Sequence, residues 1–195
     1  MSDQRGTGGR GAMLLRQRAA EVQRRPLTSD EAALMTTEIG RAPNITGYSR
    51  REWTGGRDTF VLVGLDGGEV IGATLVHQLA GNWSEIAVVY VREEFRGQGF
   101  GKFMLQAVLR TLKVDGRRKI LFFSDAVMEK LVRDCGFRIF TEEDEFVGGR
   151  AGRWLFLKVV YKVQWLWSVY RIRELRRKTR ELGSEFKFQI AVLNP

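Results

Sequence analysis

Cysteine and histidine are almost absent from this chain. Its one cysteine, Cys135, cannot close an internal disulfide, so a reducing, cytoplasmic setting is expected. As a lone thiol it reads first as a small buried hydrophobe. The one histidine, His77, lies in an apolar, strand-like run. One imidazole and one thiol do not build a zinc-type site, so no metal is expected. Long uncharged apolar runs are missing too. The most apolar stretch, Trp154 to Tyr170, is broken by Lys158 and Lys162, so no membrane span is expected. The N-terminus lacks the apolar core of a secretory signal. Its arginines and scarcity of acids are shared with organelle transit peptides, but glycines at 6, 8, 9 and 11 favour a flexible arm.

What is abundant is positive charge, and it is unevenly placed. The net charge is +9. Residues 1–25 carry six arginines against Asp3 and Glu21, and residues 171–195 carry seven Lys/Arg against Glu174, Glu181 and Glu185. The stretch between is nearly neutral. Basic ends suit either a polyanionic partner or simple solubility.

The apolar fraction, 44%, is enough for a real core. Residues 1–12 read as disordered. A first strand is expected near Ala20 to Arg25. Thr28 with Glu31 three residues on is a capping box opening a helix that ends near Gly40. A short helix follows near Tyr48 to Trp53. Thr59–Val63, Glu69–Leu79 and Trp83–Val91, separated by Asp66-Gly67-Gly68 and Gly81-Asn82, form an antiparallel meander. Phe103, Leu105, Val108, Leu109 and Leu112 then recur at helical spacing. Lys119–Phe123 is a short buried strand, and Ala126–Cys135 a helix ended by Gly136. Arg138–Phe146 reads as a strand with Trp154–Tyr161 as its hairpin partner. A final helix, about 164–182, carries an apolar stripe of Trp165, Val169, Ile172, Leu175 and Leu182. Residues 186–190 alternate and are expected to add an edge strand.

Between the meander and its helix lies Arg96-Gly97-Gln98-Gly99-Phe100-Gly101-Lys102. Strand, glycine-rich turn, helix is an anion-binding arrangement. The glycines admit close backbone approach, and the helix start offers free N–H groups and a positive dipole end. The nucleotide P-loop is excluded, because Phe103 follows Lys102 and the glycine spacing is wrong. The Rossmann fingerprint is excluded by spacing and by the antiparallel strand before the turn.

The segment Val89 to Lys102 resembles motif A of the GNAT superfamily of N-acetyltransferases, which runs from a hydrophobic strand into Arg/Gln-x-x-Gly-x-Gly/Ala. Arg96, Gly99 and Gly101 match it. The order of elements matches as well, and Cys135-Gly136-Phe137 is similar to the family's Gly-Phe ending of a later helix. The resemblance covers about residues 20–162. It implies an α+β fold with a mixed, mostly antiparallel twisted sheet flanked by helices. It implies acetyl-CoA as acyl donor, with its pyrophosphate on the amides of Gly97, Gln98, Gly99, Phe100, Gly101 and Lys102 beside Arg96. The pantetheine arm would lie along Val89, Tyr90 and Val91. The implied reaction is direct acetyl transfer to an amine acceptor, a protein or a small molecule.

Such transfer needs a base for the acceptor ammonium and a proton for the departing thiolate. Many relatives place a catalytic glutamate in the strand before motif A, and Glu85 occupies that region; an ion-paired strand residue is the alternative. Many relatives carry a tyrosine four residues before the glycine of the Gly-Phe pair. Val132 stands there, and valine cannot donate a proton. Tyr90, Ser124 and Cys135 are the substitutes. Residues 40–58 and 141–153 would shape the acceptor pocket, with Glu142–Glu145 as a possible cation lure.

The sequence thus divides into a basic arm (1–19), a GNAT-like domain (20–162) and a basic helix and tail (163–195). A second reading is a GNAT-fold module, catalytic or not, bound to nucleic acid or nucleoprotein through Arg171, Arg173, Arg176, Arg177, Lys178 and Arg180.

Overall fold

Local chemistry sets each element before packing fixes its place. The computed structural model describes residues 20–56, 58–66, 68–142, 144–147, 149, 152, 154, 156, 169–183 and 188–195. Strand β1 spans Ala20–Arg24. Helix α1, Ser29–Arg41, opens on the expected capping box. Thr28 Oγ1 accepts from Glu31 N–H, and the Glu31 carboxylate accepts from Thr28 N–H at 2.8 Å. The same carboxylate takes both arms of the Arg25 guanidinium at 2.7 Å. A second capping box, Ser49 with Glu52, opens the short helix α2, Arg50–Gly55.

Strands β2 (Thr59–Gly64), β3 (Val70–Leu79) and β4 (Trp83–Val91) form the meander. Gly81 and Asn82 both turn at φ 66°, and the turn pairs Leu79 with Trp83, Gln78 with Ser84 and His77 with Glu85. Helix α3 covers Phe100–Leu112 and β5 covers Arg118–Phe123. Helix α4, Ala126–Asp134, is capped by Asp125, whose carboxylate accepts from Met128 N–H at 2.8 Å.

Alternation along the strands sends side chains to two layers. Val61, Val63, Ala73, Leu75 and Tyr90 pack with Met35, Ile39 and Trp53 of α1 and α2. Phe60, Val76, Ile86 and Leu121 pack with Leu105, Val108 and Leu112 of α3 and with Val132 of α4. Each such side chain contributes about 1.5–3 kcal/mol by leaving water.

The second half departs from expectation. Strand β6 is only Arg138–Phe140, and a short helix, α5, follows at Asp144–Val147. Glu145 helps start α5, accepting from the Thr141 and Glu142 N–H groups and from Thr141 Oγ1. The expected partner strand, 154–161, lies mostly outside the described residues. Trp154 and Phe156 within it are helical, and Phe156 packs edge-on against Trp83 and Phe146. Among the described residues β6 pairs with β7, Gln189–Leu193, which runs antiparallel to both β5 and β6. The expected edge strand is therefore an interior one, shifted three residues along the chain. The seven strands run in the order β1-β2-β3-β4-β5-β7-β6, antiparallel throughout except for β4 beside β5. None of the described helices is long and apolar enough to cross a membrane.

Helix α6, Val169–Leu182, corrects the reading of the basic run. Its buried face is Arg171, Glu174 and Lys178, whereas Ile172 and Leu182 of the expected apolar stripe are 37% and 42% exposed. Trp165 and Trp167 lie outside the described residues. The charged face meets the carbonyl end of α1. Lys178 Nζ donates to the carbonyls of Ile39, Ala42 (2.6 Å) and Ile45 (2.7 Å), and Arg177 Nη2 donates to Gly40 O at 2.6 Å. Cations satisfy the orphan carbonyls that any helix C-terminus leaves. Half of the six residues assigned to a polyanion, Arg171, Arg177 and Lys178, are thus engaged within the fold. Arg173, Arg176 and Arg180 occupy the exposed face.

Candidate active site

The cleft begins where two neighbouring strands part. Strands β4 and β5 pair only at Trp83–Arg118, Ser84–Lys119 and Glu85–Ile120. Beyond that point both continue, to Val91 and Phe123, without pairing to each other. A bulge marks the same place. On β3, Leu75 faces Val88 and Val76 faces Ile86, which leaves Ala87 unopposed. Bulges bend a strand and re-aim its groups. The opening is lined by Glu85 and Ala87 to Val89 of β4, by Phe122 and Phe123 of β5, and by Met128 of α4. Asn44 to Thr46, Tyr48 and Arg171 close it from the side of α1 and α6.

The glycine turn lies at the far end of β4. Gly97 and Gly99 take φ of +73° and +82°, values that glycine adopts without strain. Gly99 is the N-cap of α3, and no side chain caps this helix. Its first N–H groups and its dipole end therefore face outward. A Cβ added at Gly101 would meet nothing nearer than Leu131 and Val91, each at 3.8 Å. Packing does not demand glycine there, so the bare backbone leaves room for a ligand. The cations of the turn are differently placed than the sequence implied. Arg96 folds back, with Nε donating to Val91 O at 3.1 Å and Nη2 to Tyr90 Oη at 3.2 Å. Lys102 is ion-paired with Asp134 at 2.8 Å on the surface, an exposed contact that exchanges at little cost. Gln98 Nε2 donates to Glu94 O. The anion affinity of the turn rests on its amides first.

Glu85 is only 5% exposed and stands at the last paired residue of β4. Its Oε2 is 3.1 Å from His77 Nδ1, the residue opposite it on β3. Arg171 Nη2 lies 3.4 Å from the His77 ring nitrogens and 3.2 Å from Glu52 Oε1. The guanidinium sits over the Tyr48 ring, 4.4 Å from its centroid. Tyr48 in turn donates its hydroxyl hydrogen to Ala87 O at 2.7 Å. Burial pushes the Tyr48 phenol well up, and the Arg171 charge offsets only part of that. Tyr48 is thus a fixed donor, poorly suited to giving up its proton.

The three substitutes for the missing tyrosine are scattered. Val132 is fully buried in the core, and Met128, one turn earlier, is the residue of α4 that reaches the cleft. Tyr90 Oη is 3.3 Å from Glu38, on the α1 side of the sheet. Cys135 lines a separate groove with Lys113 and Lys119, and burial pushes its thiol up. Ser124 stands at the cleft mouth, donating to Asn44 O at 3.3 Å. Sequence reading did not single out Tyr48 or His77, and it set Arg171 among cations facing a polyanion, whereas the residue is buried beside those two. His77 had a usable signal: a turn centred on Gly81 puts residues 77 and 85 opposite each other.

Residues 31–137 match the model of the acetyltransferase (GNAT) family. The chain belongs to the GNAT family. Solved GNAT structures share the architecture. N-acetylglutamate synthase from Neisseria gonorrhoeae, solved with coenzyme A and N-acetyl-glutamate, aligns with a TM-score of 0.58 at 13% identity over 90% of this chain. The present chain spans 35% of that one. A Mycobacterium tuberculosis protein solved with CoA aligns at 0.63 and 13% identity, over 90% of this chain and 99% of the other. The yncA protein of Salmonella typhimurium, solved with its cofactor acetyl-CoA, aligns at 0.51 and 17% identity, over 62% and 80%. At these identities the likeness is one of fold. No curated protein matches the chain.

Proposed function

We propose that this GNAT domain moves the acetyl group to an amine that enters the cleft between β4 and β5, with Glu85 as the base. The carrying observation is position: a buried carboxylate stands where the strands part, in a cleft whose β4 wall leads to the uncapped start of α3. The thioester of acetyl-CoA supplies an activated acetyl carbon. The amides of Gly97 to Lys102 hold its pyrophosphate, helped by Arg96. The edge of β4 that β5 leaves unpaired, Val89 to Val91, holds the pantetheine arm; Arg96 already occupies the Val91 carbonyl. Tyr90 turns its side chain to the α1 side and contributes backbone only.

Glu85 takes the proton from the acceptor ammonium, directly or through one water, and the freed nitrogen attacks the acetyl carbon; the C–S bond then breaks, and the proton the nitrogen gives up on becoming an amide balances the departing thiolate, so coenzyme A leaves as the thiol. His77 fixes the carboxylate orientation from the neighbouring strand. Tyr48 pins Ala87, so the bulged backbone keeps one shape during transfer. The reading of nucleic acid as a partner is the weaker one, because only Arg173, Arg176 and Arg180 of its six cations keep an outward face.

The test is Glu85→Gln, assayed by thiol release over a panel of amines together with acetyl-CoA titration. Turnover should fall at least about a hundredfold, within the range expected for loss of a general base, with acetyl-CoA affinity unchanged. Unchanged turnover would retire Glu85 as the base.

A further inference from the structure

We propose that the acceptor is a small amine that also bears a carboxylate, of the α-amino-acid type, and that Arg171 binds the carboxylate. This rests on the acetyltransferase reading of the cleft.

The cleft lining carries charge of both signs. Glu85 lines it from β4 and Arg171 from α6. His77 stands between them, 3.1 Å from the carboxylate and 3.4 Å from the guanidinium. The two charges are therefore no more than about 6.5 Å apart, the span of those two contacts. A ligand bridging them needs its own cation and anion a few ångströms apart, each with one hydrogen bond of about 2.8 Å to the wall. An α-amino acid has that shape. The ammonium is then delivered to Glu85, beside the bulge at Ala87.

The guanidinium is pre-organised for this. It is 4% exposed, held over the Tyr48 ring, and paired with Glu52 at 3.2 Å. Glu52 is itself held by Ser49, which donates from both its backbone N–H and its hydroxyl at 2.8 Å. Asp125, the other carboxylate of the lining, is committed to the cap of α4. A planar fork also matches a carboxylate better than a point charge does. Helix α6 thus contributes specificity, and its charged contacts with α1 set where Arg171 stands.

The experiment uses the full chain and free L-amino acids, each paired with its carboxamide and its decarboxylated amine. Thiol release gives kcat/KM for each. At least one amino acid should exceed its amide by about tenfold or more, equivalent to about 1.4 kcal/mol. Arg171→Gln should bring that ratio towards one, and Arg171→Lys should keep part of it. Calorimetry in the presence of CoA should show N-acetyl-amino acids binding and their amides not. Amides or simple amines turned over as well as the acids would overturn the assignment, as would an absence of binding by every N-acetyl-amino acid. Failure to bind acetyl-CoA at all is a separate readout and would remove the cleft reading itself.

Discussion

Tyr48 donates its hydroxyl hydrogen to the carbonyl of Ala87 at 2.7 Å, and Ala87 is the residue the β4 bulge leaves unopposed. A side chain from the loop after α1 thus holds the backbone at the point where the sheet opens. Tyr48→Phe removes one hydrogen bond and leaves the half-buried Ala87 carbonyl without this donor. Unfolding free energy should fall by about 1–3 kcal/mol, and kcat should fall several-fold with acetyl-CoA affinity retained. Denaturant melts and steady-state kinetics check both. A variant that melts lower but keeps full kcat would make Tyr48 structural only.

Lys178 is fully buried and satisfies three backbone carbonyls at the end of α1. Lys178→Met keeps much of the volume and removes every donor. The cost should reach about 3 kcal/mol or more, because several buried acceptors lose their partner together. Hydrogen exchange should then speed up across residues 169–182 and 39–48, while α3 stays protected. Unchanged protection of α6 would show that apolar contacts hold the helix instead.

Much of this was legible in the sequence, and the failures have physical causes. Thr28-Glu31, Gly81-Asn82 and the strand alternation act over a few residues, so β1 to β5 and α1 to α4 could be read directly. The partner of β6 could not, because β7 lies some fifty residues on and local pattern carries no pairing information. In α6 the apolar stripe pointed to the wrong face. The surface that α6 meets is a row of helix-end carbonyls, which call for cations. Arg171 was hidden for the same reason, as one arginine among several. Glu85 and the glycine turn could be singled out because both sit on β4 or its continuation.

Acid should loosen α6. Hydrogen bonds from Arg177 hold the Glu174 carboxyl below the ordinary carboxylate range, despite desolvation that pushes it up. A depressed carboxylate stabilises the fold above its unfolded pKa, about 4.3. That stabilisation is lost as pH falls through the folded value. Glu31, lowered by Arg25, acts in the same direction. Melting temperature should be flat near neutrality and drop below about pH 4, and Glu174→Gln should make the acid limb shallower. An identical acid limb in that variant would remove Glu174 from this role.

The central claim is that the turn after β4 binds acetyl-CoA through bare backbone, and one titration tests it. The account predicts that calorimetry shows acetyl-CoA binding to the wild-type chain, and binding about tenfold or more weaker to Gly101→Glu, which sets a negative charge beside the amides. That variant should melt no lower than wild type, since the new Cβ would sit in ordinary contact 3.8 Å from Leu131 and Val91, and an acidic residue suits the first turn of a helix. Equal affinity in the two proteins, or no binding to either, would contradict it.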